Sequence, residues 1–176
     1  MARFNHLMDI FLQPGELFVA DADYQIRTIL GSCVSITLWH PESCLGGMTH
    51  FLLPTRGTVV QPKDWDGRYG DEALNLMLTD LKVHGVAPEK CKAKIFGGGN
   101  MFPDHDLTGK INVGQRNGEA ARELLRKHGI PLLSESLFGH GHRQIIFDLS
   151  KGDVWARQVR LSKMELDIEK SKEKSL

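Results

Sequence analysis

The chain has 176 residues, 41% hydrophobic and 25% charged, the profile of an ordinary globular protein of one domain. Twenty-two Lys and Arg balance twenty-two Asp and Glu, so the formal net charge is zero; this argues against a nucleic-acid partner, which would need a basic excess, and gives no attraction to an anionic membrane. Cys33, Cys44 and Cys91 are odd in number and form no CxxC pair, which argues against a disulfide framework and a four-thiolate zinc site. With no signal-peptide stretch and no run of about eighteen apolar residues, the expected location is the cytoplasm, without membrane insertion.

Residues 1–15 read as a loose lead-in closing on the turn signal Pro14-Gly15. Short β-type runs follow at 17–20, 24–30, 34–39 and 45–53. Residues 34–39 alternate as a half-buried strand should, and His40-Pro41-Glu42-Ser43 turns the chain back, so 33–53 is expected to be a hairpin. Residues 54–70, with two Pro and three Gly, predict a long surface loop. Asp71 is expected to cap a helix running to His84, with Leu74, Met77, Leu78 and Leu81 inward and Gly85 as its stop. A strand at 93–96 leads into Gly97-Gly98-Gly99-Asn100, and 103–112 read as loop. Asn117 is expected to cap a second helix over 118–128, with Arg116 in its lead-in. Strands are expected at 132–138, 144–149 and 154–159, and the eight mixed charges of 163–176 predict a frayed or disordered tail. These strands and two helices imply an α/β fold of the α+β type, with a mixed, largely antiparallel sheet and flanking helices. The whole then divides into a lead-in (1–15), one catalytic domain (16–162) and the tail (163–176).

The chemistry is expected at Gly31-Ser32-Cys33, between two strands, where the backbone must bend. A bend there lifts a thiol out of the sheet and aims successive N–H groups at one point, the geometry of a nucleophile with an oxyanion hole; the alternative is a small buried hydrophobe, the commoner fate of a free cysteine. Counting residues around the hairpin brings His50 back to the Cys33 end, where an imidazole can take the thiol proton and hold the thiolate as an ion pair. A core histidine bonded to backbone is the alternative there.

Leu30-Gly31-Ser32-Cys33-Val34, residues 46–54 around Thr49-His50-Phe51, residues 94–102 through the glycine run, and residues 111–117 together resemble the CheD family of chemoreceptor glutamine deamidases. The resemblance runs from about residue 15 to 160. It implies a cysteine hydrolase fold like that of CheD and the cytotoxic necrotizing factors, and hydrolysis of particular glutamine side-chain amides in the cytoplasmic domains of chemotaxis receptors. It implies a Cys–His–Thr triad with Cys33 as nucleophile and His50 as base and acid, no metal and no cofactor. Thr28, the sole threonine between residues 22 and 36, takes the third place, with Thr49 or a backbone carbonyl as the alternative orienter of His50. Gly31 and Ser32 belong to the oxyanion loop, with Asn100 as polar support. A CheC-type phosphatase is the further partner the resemblance implies, and a regulatory binding role toward it is the alternative to catalysis. Arg27 occupies the position where the family's threonine is expected, and a shift of one residue in a strand reverses the face a side chain takes. Residues 138–143 also depart from the family pattern, and His140-x-His142 has metal-ligand spacing without a third ligand in view.

Overall fold

The computed structural model describes residues 6–102 and 112–159; the expected tail and nearly all of the expected 103–112 loop lie outside them. Nine strands and two α-helices occur among the described residues: β1 (Met8–Phe11), β2 (Leu17–Ala20), β3 (Tyr24–Leu30), β4 (Val34–His40), β5 (Leu45–Thr49), α1 (Gly70–Val83), β6 (Lys92–Gly97), α2 (Val113–Lys127), β7 (Leu132–Leu137), β8 (His142–Asp148) and β9 (Asp153–Val159). The strands form two sheets, not one, in the orders β1-β3-β8-β9 and β2-β5-β4-β6-β7. Only β1–β3 and β6–β7 are parallel pairs, the second joined through α2 as a βαβ unit. The fold is therefore mixed and largely antiparallel, as expected.

Two apolar layers hold it together. Val34, Ile36 and Leu38 of β4 pack with Leu74, Met77 and Leu81 of α1 and with Ala121 and Leu125 of α2. Ile26 and Leu30 of β3, Met48 of β5, Phe96 of β6, and Ile145 and Phe147 of β8 fill the space between the sheets. Each fully buried aliphatic side chain contributes roughly 1.5–3 kcal/mol. The sandwiching corrects the reading of β4 as half-buried: Val34 through Leu38 are all buried, because one face meets the helices and the other the second sheet.

The lead-in also differs from expectation. Residues 8–11 pair with β3, Ile10 and Leu12 turn inward, and Asp9 faces out to accept from Arg27 Nε at 2.8 Å. The hairpin forms as expected, with Thr37 opposite Met48 and His40 opposite Leu45, but β5 stops at Thr49 rather than 53. Beyond it the His50 N–H donates to the Glu16 carbonyl (3.0 Å) and the His50 carbonyl accepts from Gly15 N–H (2.7 Å), while the Thr49 hydroxyl takes the Ile36 N–H (3.0 Å). Helix α1 starts one residue before Asp71, with Tyr69 at its cap and no side-chain cap bond. Helix α2 starts five residues earlier than expected: Asn112, not Asn117, is its N-cap, accepting from Gln115 N–H at 2.8 Å.

Candidate active site

Gly31-Ser32-Cys33 is where the chain leaves the four-stranded sheet and enters the five-stranded one. The glycine run fixes the bend. Gly98 N–H donates to the Cys33 carbonyl and Gly99 N–H to the Gly31 carbonyl, each at 2.9 Å. Gly97 has φ +111°, and a β-carbon on it would lie 2.2 Å from the Cys33 carbonyl oxygen, an approach only glycine permits. Val34 N–H donates to the Phe51 carbonyl at 3.1 Å. Among the described residues the N–H groups of Ser32 and Cys33 donate to no other residue, that of Cys33 reaching only its own thiol. Cys33 itself is half-buried, and burial pushes its thiol pKa up, partly offset by its own backbone N–H.

The bridge between Val34 and Phe51 sets the partner. Directly opposed residues of an antiparallel pair face the same side and their neighbours the other, so Cys33 and His50 become diagonal neighbours on the face turned toward the second sheet. His50 is buried, and its Nδ1 lies 2.7 Å from Thr28 Oγ1. The Thr28 hydroxyl donates to the Leu12 carbonyl at 2.9 Å. Because that hydroxyl has one hydrogen and a carbonyl can only accept, Thr28 Oγ1 accepts from Nδ1–H. The tautomer assigned by this chain leaves Nε2 with its lone pair free, as a base requires. Burial lowers the His50 pKa to about 4, against the opposing pull of the Leu12 carbonyl and the Glu16 charge. Both shifts favour a neutral thiol beside a neutral imidazole rather than the ion pair expected from sequence. Among the described residues no hydrogen bond joins the two, a separation common in unliganded sites that close around substrate.

The alternation of β3 separates Thr28 from its neighbour. Ile26, Thr28 and Leu30 are buried, whereas Arg27 points outward to Asp9. Thr49, the alternative orienter, is taken up by the Ile36 N–H. Asn100 stays with the glycine turn: its N–H donates to the Gly139 carbonyl (2.7 Å), and its Oδ1 accepts from Phe102 N–H (3.0 Å). His140 pairs through its backbone with Asn100, and no group of three metal-ligating side chains occurs among the described residues. Cys91 is buried and its thiol is pushed up to about 11, chiefly by desolvation. The 54–70 loop lines a cavity of about 600 Å³ with the first turns of α1, but neither Cys33 nor His50 borders it. Glu72 organises that loop, accepting from Arg56 Nε (2.6 Å), Arg56 Nη2 (2.7 Å) and Asp66 N–H (2.7 Å).

Sequence reasoning missed one residue of the site. Asn117, read as a cap, lies inside α2, fully buried, and its Nδ2 donates to the Ser32 carbonyl (3.0 Å) and the Leu52 carbonyl (2.8 Å). Two signals were present: Asn112 three residues before Gln115 is a capping-box spacing, and Asn117 falls on the stripe Gly114, Gly118, Ala121, Leu125 that α2 buries. A polar side chain on a buried stripe must find partners.

A thiol on a clamped bend, unclaimed N–H groups beside it and a buried neutral imidazole define a site able to attack the carbonyl carbon of an amide or ester. The family model described as CheD chemotactic sensory transduction matches residues 52–158. The chain is 65% identical over 159 residues to the probable chemoreceptor glutamine deamidase CheD 2 of Albidiferax ferrireducens, covering 90% of this chain and 92% of that one. It is 41% identical over 167 residues to the probable chemoreceptor glutamine deamidase CheD of Pseudomonas savastanoi pv. phaseolicola, covering 94% and 93%. A Leptospira interrogans protein, probable chemoreceptor glutamine deamidase CheD 1, is 34% identical over 158 residues, covering 86% and 93%. The chain belongs to the CheD family. Among solved structures, a Bacillus licheniformis hypothetical protein YfiH aligns at 14% identity and TM-score 0.38 over 71% of this chain and 49% of that one, too distant a likeness to bear on the chemistry.

Proposed function

We propose that this protein hydrolyses the side-chain amide of glutamines in the cytoplasmic domains of chemotaxis receptors, converting them to glutamate residues and releasing ammonia. The observation that carries the reading is the hydrogen-bond chain from the Leu12 carbonyl through Thr28 to His50 Nδ1, which leaves Nε2 basic on the same face as Cys33. In the first half-reaction Nε2 takes the thiol proton while Cys33 Sγ attacks the carboxamide carbon. The developing oxyanion is held by the N–H groups of Ser32 and Cys33, the latter released from its own sulfur as that sulfur bonds to carbon. The imidazolium then protonates the departing nitrogen, the C–N bond breaks, and a thioester remains. Water enters, His50 removes its proton, and the C–S bond breaks to give the carboxylate and the restored thiol. Thr28 and the Leu12 carbonyl support the transient imidazolium, and Glu16 adds a favourable charge.

The reaction sequence uses side-chain and backbone groups of this chain throughout. A receptor substrate places the enzyme in the cytoplasm; no described helix is long and apolar enough to cross a membrane. A CheC-type phosphatase, the further partner implied by the family resemblance, would engage surface outside the Cys33–His50 site. With purified receptor cytoplasmic domain, the wild type is expected to release ammonia and Cys33→Ala to release none. Undiminished release by Cys33→Ala would overturn the assignment.

A further inference from the structure

Asn117 holds more of the site than a buried helix residue needs to. Its two amide hydrogens go to carbonyls on opposite walls, Ser32 in the nucleophile loop at 3.0 Å and Leu52 two residues beyond His50 at 2.8 Å. Both partners can only accept, so the orientation of the carboxamide is fixed by chemistry. Its Oδ1 is buried with no partner among the described residues. A side chain kept for core packing alone would be apolar or would satisfy its acceptor; this one leaves the acceptor idle and spends both donors on the site.

The consequence lies in the peptide between Ser32 and Cys33. A trans peptide is planar, with its C=O and N–H pointing in opposite directions. Anchoring the Ser32 oxygen on α2 therefore aims the Cys33 N–H away from α2. The next peptide is anchored as well, because the Cys33 carbonyl accepts from Gly98 N–H and Val34 N–H donates to Phe51. The Ser32 carbonyl, the Cys33 carbonyl and the Val34 N–H are thus tied down, while the Cys33 N–H between them donates to no other residue. Gly114 and Gly118 allow the approach: a β-carbon at Gly114 would lie 2.6 Å from the Gly98 and Gly99 carbonyl oxygens, and one at Gly118 2.5 Å from the Phe138 ring.

We infer that Asn117 is a positioning residue that presets the Cys33 N–H as an oxyanion donor. The inference rests on the deamidase reading. It predicts that Asn117→Ala loses kcat for ammonia release by about 100-fold, the scale of one lost oxyanion donor. KM should change by no more than about threefold, because only transition-state stabilisation is removed. Alkylation of Cys33 by iodoacetamide, a displacement that forms no oxyanion, should also stay within about threefold of wild type. A folded Asn117→Ala protein with wild-type kcat, or one whose alkylation falls in step with kcat, would overturn it. Asn117→Ser serves if the alanine variant does not fold. In the wild-type protein the Asn117 side-chain NH₂ protons should exchange slowly by NMR, and free exchange would equally overturn the inference. Loss of the deamidase reading has its own signature, undiminished ammonia release by Cys33→Ala.

Discussion

At the scale of single residues, the chemistry turns on where one hydrogen sits. The Thr28 hydroxyl spends its hydrogen on Leu12 and so obliges His50 to donate from Nδ1. Thr28→Val keeps the shape but removes this constraint and leaves the buried Leu12 carbonyl without its donor. It is expected to lower kcat by about 100-fold, the low end of what acid–base catalysis contributes, and stability by about 1–3 kcal/mol. Steady-state ammonia release and urea unfolding measure the two effects, and Thr28→Ser should restore most of both. The pH behaviour follows from the same environment. The His50 pKa is about 4 folded against 6.5 unfolded, so between those values the unfolded chain binds more protons. The contribution of His50 to stability is therefore complete above pH 6.5 and is lost as pH falls toward 4. The acid limb of kcat/KM should lie near pH 4, where the base becomes protonated. An acid limb near 6.5, or Cys33 alkylation already at its plateau below about pH 6, would instead indicate a thiolate–imidazolium pair.

At the scale of elements, a close crossing assembles the site: the glycine turn after β6 meets the bend before β4 and the first turns of α2. Gly97→Ala forces a β-carbon against the Cys33 carbonyl oxygen at a positive φ. It is expected to cost about 1–3 kcal/mol in backbone strain alone and to displace the nucleophile, seen as a lower melting temperature together with lost ammonia release. Much of this was legible in the sequence. Hairpin counting puts residue 50 at the Cys33 end, and the Val34–Phe51 bridge lies at that end. The faces of β3 were harder to read, because Thr28 and Arg27 are adjacent and only pairing with β8 shows which turns inward. Strand β1 was missed because a four-residue strand gives a weak periodic signal, although Ile10 and Leu12 alternate with Asp9 and Phe11. Asn117 was misplaced because an asparagine near a helix start suggests a cap, while the true cap, Asn112, was assigned to the loop.

At the scale of the whole molecule, the two-sheet architecture explains why the site lies where it does. Thr28 comes from the four-stranded sheet, His50 follows the last residue of β5 in the five-stranded sheet, and Cys33 sits on the link between them. Thr28 and His50 can meet only if the sheets pack face to face over Ile26, Met48, Phe96 and Phe147. Core and site are therefore one construction, and α2 seals it through Asn117. The chain's zero net charge suits the proposed task, because the group attacked is an uncharged amide. The most direct test is peptide mass mapping of a receptor cytoplasmic domain after incubation with the purified protein. Wild-type protein should raise particular glutamine-containing peptides by about 1 Da, amide exchanged for acid through the Cys33 thioester, and Cys33→Ala and His50→Ala should leave them unchanged. The same mass shift with Cys33→Ala, or no shift on any receptor glutamine with the wild type, would contradict the account.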